Sequence, residues 1–327
     1  MTADTVGGVW TYCVELAHAL DAEVHLATMG RRLSDAQRAE CGVFASVHES
    51  DFPLEWQDDP WEGVDAAGQW LLALEGELRP AVVHLNGYAH GVLPWQAPAV
   101  VVAHSDVVSW FRAVHGTDAP PEWDVYRRRV TAGLQAATRV VAPTAAVATD
   151  LSVAYGFSGA VVVPNCRRPD LLAPAAKEPM VLAAGRVWDA AKGVDALCRV
   201  APLLPAPVLV AGEGAASGVQ SLGLLPFPEL AALMARAAVF AAPARYEPFG
   251  LGILEAALAG CALVLGDIAS LREVWGETAT YVQDDASLVA AVTTALQDPS
   301  RGTAARERAL TYTPERTAQG YMEAYAA

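Results

Sequence analysis

The chain has 327 residues, of which 53% are hydrophobic and 18% charged. That composition supplies real cores and excludes disorder for the chain as a whole, and the length suggests two domains of roughly 100–200 residues each. Acidic residues outnumber basic ones 37 to 22, giving a net charge of −15, with −10 in residues 1–167 and −5 in the remainder. Both halves being acidic, neither general nucleic-acid binding nor docking on anionic lipid finds support.

Five cysteines are scattered without C-x-x-C spacing. They read as reduced, mostly buried thiols, and no zinc site is visible. The N-terminus has no basic segment followed by an apolar run, so no secretory signal is expected. No apolar stretch approaches the ~18 residues of a membrane span, because Arg236 breaks the alanine-rich run 231–244. The expectation is a soluble cytoplasmic protein with no transmembrane segment, with membrane association disfavoured.

Apolar strand, loop and amphipathic helix then alternate along the chain. The first oddity is the loop Asp4-Thr5-Val6-Gly7-Gly8 before a helix at 10–20, with only Met1–Ala3 to serve as the strand feeding it. Either that strand is very short or the chain begins late. Further strands are expected at 24–27, 81–85, 100–104, 139–142 and 160–163. A second series falls at 180–184, 208–211, 239–242, 262–265 and 280–282. They are short and β-branched without clean alternation, as parallel strands buried on both faces should be. Helical stretches include 61–77, 122–137, 229–236, 254–259, 287–296 and 301–310, and Thr313-Pro314-Glu315 opens a terminal helix. The alternation predicts an α/β chain of two doubly wound parallel-sheet domains, with a linker over the proline-rich stretch 164–179.

Four segments can carry chemistry. Glu247-Pro248-Phe249-Gly250-Leu251 leads from a strand into a helix bearing Glu255. Its free N–H groups at a helix N-terminus favour a phosphate, and the Glu255 carboxylate can accept from two ribose hydroxyls. An alternative is that Glu255 only complements the helix dipole and Glu247 is solvated. In Gly185-Arg186 through Lys192-Gly193, two cations at a strand end can neutralise a diphosphate, or they form a solvated charged loop. Gly7-Gly8 permits close ligand approach or a tight turn. His84, Asn86, Tyr88 and His90 follow one first-half strand and His104 another. Strand carboxyl ends line the cleft of an open α/β sheet, though a buried, satisfied histidine is equally consistent with each. No G-x-G-x-x-G follows a first strand and no G-x-S-x-G elbow occurs, which argues against a nicotinamide enzyme and a serine hydrolase. Gly212-Glu213-Gly214 reads as a turn.

Taken in order, Gly7-Gly8, His104, Val163-Pro164-Asn165, Gly185-Arg186…Lys192-Gly193, Gly212-Glu213-Gly214 and Glu247-Pro248-Phe249-Gly250…Glu255 resemble the family 4 glycosyltransferases. Glu247 and Glu255 match that family's E-x7-E pair. The resemblance implies the GT-B fold, two Rossmann-like domains with an interdomain cleft, here residues 1–165 with 313–327 and residues 168–312. It implies a retaining, metal-independent transfer of sugar from a nucleotide-diphosphate sugar, most often UDP-linked, to the hydroxyl of a sugar or other polar acceptor. The leaving phosphate would assist deprotonation in a front-face attack. No cofactor is implied, because the nucleotide sugar is a substrate. The catalytic set would be Glu247, His104, Arg186 and Lys192. Donor contacts would come from Gly7, Gly8, Arg186, Lys192, Glu247, Phe249, Gly250, Leu251 and Glu255, and acceptor contacts from Asn86, Tyr88 and His90. The junction departs from the family's Asn-Gly-Val-Asp, reading Asn165-Cys166-Arg167-Arg168. A silent nucleotide-sugar-binding partner subunit and a nucleotide-sugar epimerase are the competing functions.

Overall fold

In the computed structural model, which describes residues 1–326, all strand pairing is parallel. The chain divides into two units. One holds Met1–Arg112, Gly116–Cys166 and the residues from Pro314 on; the other holds Arg167–Thr313 together with Ala113–His115.

In the first unit, β1 (Thr2–Asp4), β2 (His25–Met29) and β3 (Ser46–Glu49) form one ladder in that order. β4 (Val83–Leu85), β5 (Ala99–Val102), β6 (Arg139–Ala142) and β7 (Val161–Val162) form a second. The short first strand is real: Thr2, Ala3 and Asp4 pair with Ala27, Thr28 and Met29. Side-chain bonds, not a ladder, tie β1 to β4. The Asn86 backbone N–H donates to Thr2 Oγ1 at 2.9 Å, and Asn86 Nδ2 donates to the Thr2 carbonyl at 2.7 Å. The helix Pro314–Ala326 belongs to this unit, where Thr317 Oγ1 donates to the Pro164 carbonyl.

The second unit is one six-stranded sheet. Its strands are β8 (Glu178–Ala184), β9 (Val208–Ala211), β10 (Gln220–Gly223), β11 (Ala237–Ala242), β12 (Ala262–Gly266) and β13 (Ala279–Val282), in the order β10-β9-β8-β11-β12-β13. The chain winds outward from β8 to one edge, then crosses back and winds outward from β11 to the other. β8 and β11 therefore flank the topological switch point, outside whose carboxyl ends open α/β sheets bind ligands. Period-2 geometry explains why the sequence shows unbroken apolar runs. Met180, Leu182, Phe240 and Leu263 pack into one core layer, while Val181, Ala183, Val239 and Val264 pack into the layer on the opposite face.

Two strands lack an apolar signature. β3 and β10 are sheet edges, and Ser46, His48, Gln220 and Ser221 stand where central strands carry valine or leucine. The units part at Cys166–Arg167, within the stretch read as a linker, and the rest of that stretch packs on the second unit: Leu172 is buried, and Lys177 Nζ donates to the carbonyls of Met234 at 3.1 Å and Ala259 at 2.7 Å. Among the described residues no helix is long and apolar enough to cross a membrane.

The helix Asp124–Ala136 lies directly on the turn Ala89–Val92 that follows β4. A Cβ at Gly133 would sit 1.9 Å from the Tyr88 carbonyl oxygen, so only glycine allows this approach. Gly133→Ala must push the helix away and should destabilise the protein by about 1–3 kcal/mol, read as a lower midpoint in urea unfolding. An unchanged midpoint would contradict this packing.

Candidate functional site

The candidate site is built on the loops after β8 and β11. After β8, Asp189 Oδ1 accepts from the Ala191 N–H at 3.0 Å, turning the chain into the single helical turn Ala190–Lys192. Gly193 ends that turn at φ +68°, and a Cβ there would lie 2.1 Å from the Pro243 carbonyl oxygen. The two loops are thus in backbone contact, and the Arg245 N–H donates to the Ala191 carbonyl at 2.8 Å. This fixes the base of Lys192, whose Nζ donates to Glu247 Oε2 at 2.7 Å. Arg186, the second residue beyond β8, donates from Nη2 to Asp189 Oδ2 at 2.9 Å and lies over the Trp188 ring. Both cationic side chains keep part of their surface in solvent, 41% for Arg186 and 23% for Lys192.

The turn after Glu247 runs into the helix Leu251–Leu258. Gly250 occupies its N-cap at φ +87°, and no side chain caps that end. Orphan N–H groups and the positive dipole end therefore stand beside the Lys192–Glu247 pair. Ser270 Oγ holds the turn by donating to the Glu247 carbonyl at 2.6 Å. Phe249 is buried in the core against Tyr312, so it can meet a ligand only through its backbone. Glu255, one turn further along, is also buried. Its Oε1 accepts from Arg167 Nε at 2.7 Å, and the Arg167 guanidinium lies over the Phe227 ring. Within the second unit the structure thus joins Lys192 to Glu247, next to the turn that carries Phe249, Gly250 and Leu251, sets Arg186 on the same loop as Lys192, and places Glu255 in the helix that follows, paired with Arg167.

In the first unit, Gly7 caps the helix Gly8–Ala19 at φ +80°, at the carboxyl end of β1, with open space around it. His104 lies two residues beyond β5. Asn86 Nδ2 donates to the Thr2 carbonyl, which leaves Asn86 Oδ1 to accept from His104 Nε2 at 2.7 Å. The imidazole therefore carries its proton on Nε2 and presents Nδ1 as an acceptor. Burial holds its pKa down at about 4. The residues expected on the acceptor side are engaged in bonds within the first unit. Asn86 joins β1 to β4, Tyr88 is core and donates its hydroxyl to the Ser105 carbonyl, and His90 Nε2 bonds the Val64 carbonyl at 2.8 Å.

Three residues at the second-unit site escaped the sequence reading. Asp189 and Ser270 set the loops, and the Arg186-x-x-Asp189 spacing is a local signal for the first of them. Arg167 has no such signal, because its partner lies 88 residues away.

Comparison with known proteins gives a consistent result. Residues 6–171 match the family model described as Glycosyltransferase Family 4, and residues 178–298 match that described as Glycosyl transferases group 1. A 95-residue stretch is 44% identical to glycogen synthase from Mycobacterium tuberculosis. That match covers 27% of this chain and only 23% of the curated relative. Among solved structures, sucrose-phosphate synthase from Thermosynechococcus elongatus is similar at a TM-score of 0.81 with 20% identity, over 99% of this chain and 94% of that one. HepE from Anabaena, in complex with UDP and glucose, gives 0.75 with 15% identity over 100% and 98%. WaaG, a glycosyltransferase of lipopolysaccharide biosynthesis, gives 0.70 with 16% identity over 98% and 99%. These likenesses show the GT-B fold.

The histidines of the first unit make its stability depend on pH. Desolvation lowers the folded-state pKa of His104 from 6.5 to about 4 and lowers that of buried His84 as well. The unfolded chain then binds more protons between those values, so stability is full above pH 6.5 and is lost as pH falls toward 4. The melting temperature should drop less steeply over that window in His104→Gln than in the wild type. Parallel slopes in the two proteins would rule out the neutral, desolvated imidazole.

Proposed function

This chain belongs to the glycosyltransferases that the family 4 and group 1 models describe, and from that premise we propose that it transfers a sugar from a nucleoside-diphosphate sugar to an acceptor hydroxyl with retention of anomeric configuration. The observation that carries the reading is local to the second unit. A lysine, an arginine and an uncapped helix N-terminus lie together at the carboxyl ends of β8 and β11, where a diphosphate needs donors and positive charge. HepE is described in complex with UDP and with UDP-glucose, which supports a uridine-linked donor.

The residues divide the work by their chemistry. An ammonium has three N–H donors, so Lys192 can keep its bond to Glu247 while donating to phosphate oxygens. Arg186 offers a planar fork of donors to the same diphosphate. The N–H groups of Gly250 and Leu251 face the phosphate, Glu247 accepts from hydroxyls of the donor sugar, and Glu255 accepts from the ribose. As the bond between the anomeric carbon and the phosphate oxygen breaks, its electron pair passes to the diphosphate, where Arg186 and Lys192 stabilise the growing charge. The acceptor oxygen attacks the same face, and its proton passes to the leaving phosphate. These cations supply the charge that a divalent ion brings elsewhere, so no metal takes part. The acceptor is a sugar or another polar hydroxyl compound.

Each of Glu247→Gln and Lys192→Ala removes a charged hydrogen bond from the reacting assembly. Each should slow transfer by roughly tenfold or more, measured as UDP release from UDP-glucose with and without sugar acceptors. EDTA should leave the wild-type rate unchanged. Wild-type rates in both variants would overturn the site assignment, and loss of activity in EDTA would overturn metal independence.

A further inference from the structure

Beyond Arg186 and Lys192, the second unit buries another guanidinium. Arg167 is 7% exposed and Glu255 is 8% exposed, and Arg167 Nε donates to Glu255 Oε1 at 2.7 Å. The guanidinium carbon stands 4.5 Å from the centre of the Phe227 ring. Three separate pieces of chain meet here: the segment before β8, the helix after β11 and the helix Phe227–Arg236 after β10. A buried ion pair is a poor device for stability alone, because desolvating two charges offsets much of their attraction. Its effect is on the carboxylate, whose direction it fixes. The ring face beneath the guanidinium restricts the arginine in turn.

We infer that Arg167 is a positioning residue for the nucleotide: it holds the Glu255 carboxylate oriented to accept from the two hydroxyls of the ribose. This rests on the reading of Glu255 given under the proposed function. An ionised carboxylate accepts from several donors at once, so Arg167 and ribose hydroxyls can share it. Arg167 need not touch the nucleotide, and its influence is confined to ligands that carry those hydroxyls. A residue that merely stabilised the fold would weaken all nucleotides alike.

The experiment measures binding of UDP and of 2′,3′-dideoxy-UDP by calorimetry to the wild type, Arg167→Met, Arg167→Lys, Glu255→Gln and the double variant Arg167→Met/Glu255→Gln. The double variant leaves no unpaired buried charge and so guards against failure to fold. UDP should bind Arg167→Met about tenfold more weakly than wild type, with dideoxy-UDP unchanged. Arg167→Lys should recover part of the loss. The double variant should match Glu255→Gln alone, because the two residues act through one carboxylate. Equal weakening of both ligands in Arg167→Met, or no weakening of either, would overturn the role of Arg167. If Glu255→Gln discriminates the two ligands as the wild type does, the ribose reading of Glu255 falls and the role of Arg167 falls with it. If Glu255→Gln loses that discrimination while Arg167→Met keeps it, only the inference about Arg167 fails.

Discussion

An acidic chain that is to hold an anion must fix its cations before the anion arrives. In the second unit each relevant cation is held by a carboxylate: Arg186 by Asp189, Lys192 by Glu247 and Arg167 by Glu255. The first two pairs are partly exposed, and such pairs contribute only about 0–1 kcal/mol to stability. Their consequence is positional. A lysine side chain loses about 2 kcal/mol of rotamer freedom when it is fully ordered, and pairing in the free protein removes part of that loss from the binding step. The local charge is balanced without ligand, so the diphosphate of the proposed donor meets donors already aimed and no bare positive patch is needed in a protein of net charge −15.

Backbone contact makes this arrangement rigid. Gly193 brings the loop after β8 against Pro243, and Ala191 accepts from the Arg245 N–H. Ser270, on the helix after β12, clamps the carbonyl of Glu247. Loops from three neighbouring strands therefore determine where one carboxylate and one ammonium stand. The Phe249 side chain anchors the same turn in the core, which explains an aromatic residue between Pro248 and an uncapped helix end. After Glu247, this turn can meet a ligand through its backbone, while Phe249 serves packing.

The sequence made the central strands legible because β8, β9, β11 and β12 are buried on both faces and tolerate only apolar residues. The edges β3 and β10 carry serine, glutamine and histidine, so their strand character comes from pairing and not from composition. Lys192 stood out because the chain has only one other lysine, Lys177. Arg167 could not be read at all, since its meaning depends on a glutamate brought near by the sheet crossover. Asn86, Tyr88 and His90 show the converse case. Their residue types and strand-end positions suit a binding site, but the weak junction between β1 and β4 needed Asn86, and the carbonyls of Ser105 and Val64 needed Tyr88 and His90. Residue type indicates capability, and only the surroundings show whether that capability is already engaged.

His104 shows the same reasoning within the first unit. Its Nε2–H is fixed by Asn86 Oδ1, and burial keeps the ring neutral down to about pH 4. Such an imidazole is a good hydrogen-bond acceptor through Nδ1 and a poor base, because its conjugate acid holds a proton weakly. It can orient a hydroxyl but is ill suited to remove that hydroxyl's proton. A terminal phosphate freed from its sugar is more basic, with a second pKa of about 6. Of the groups in the proposed reaction, the departing phosphate is therefore the better proton acceptor. A transfer in which the leaving phosphate acts as base, as proposed, makes no demand on an imidazole of this kind.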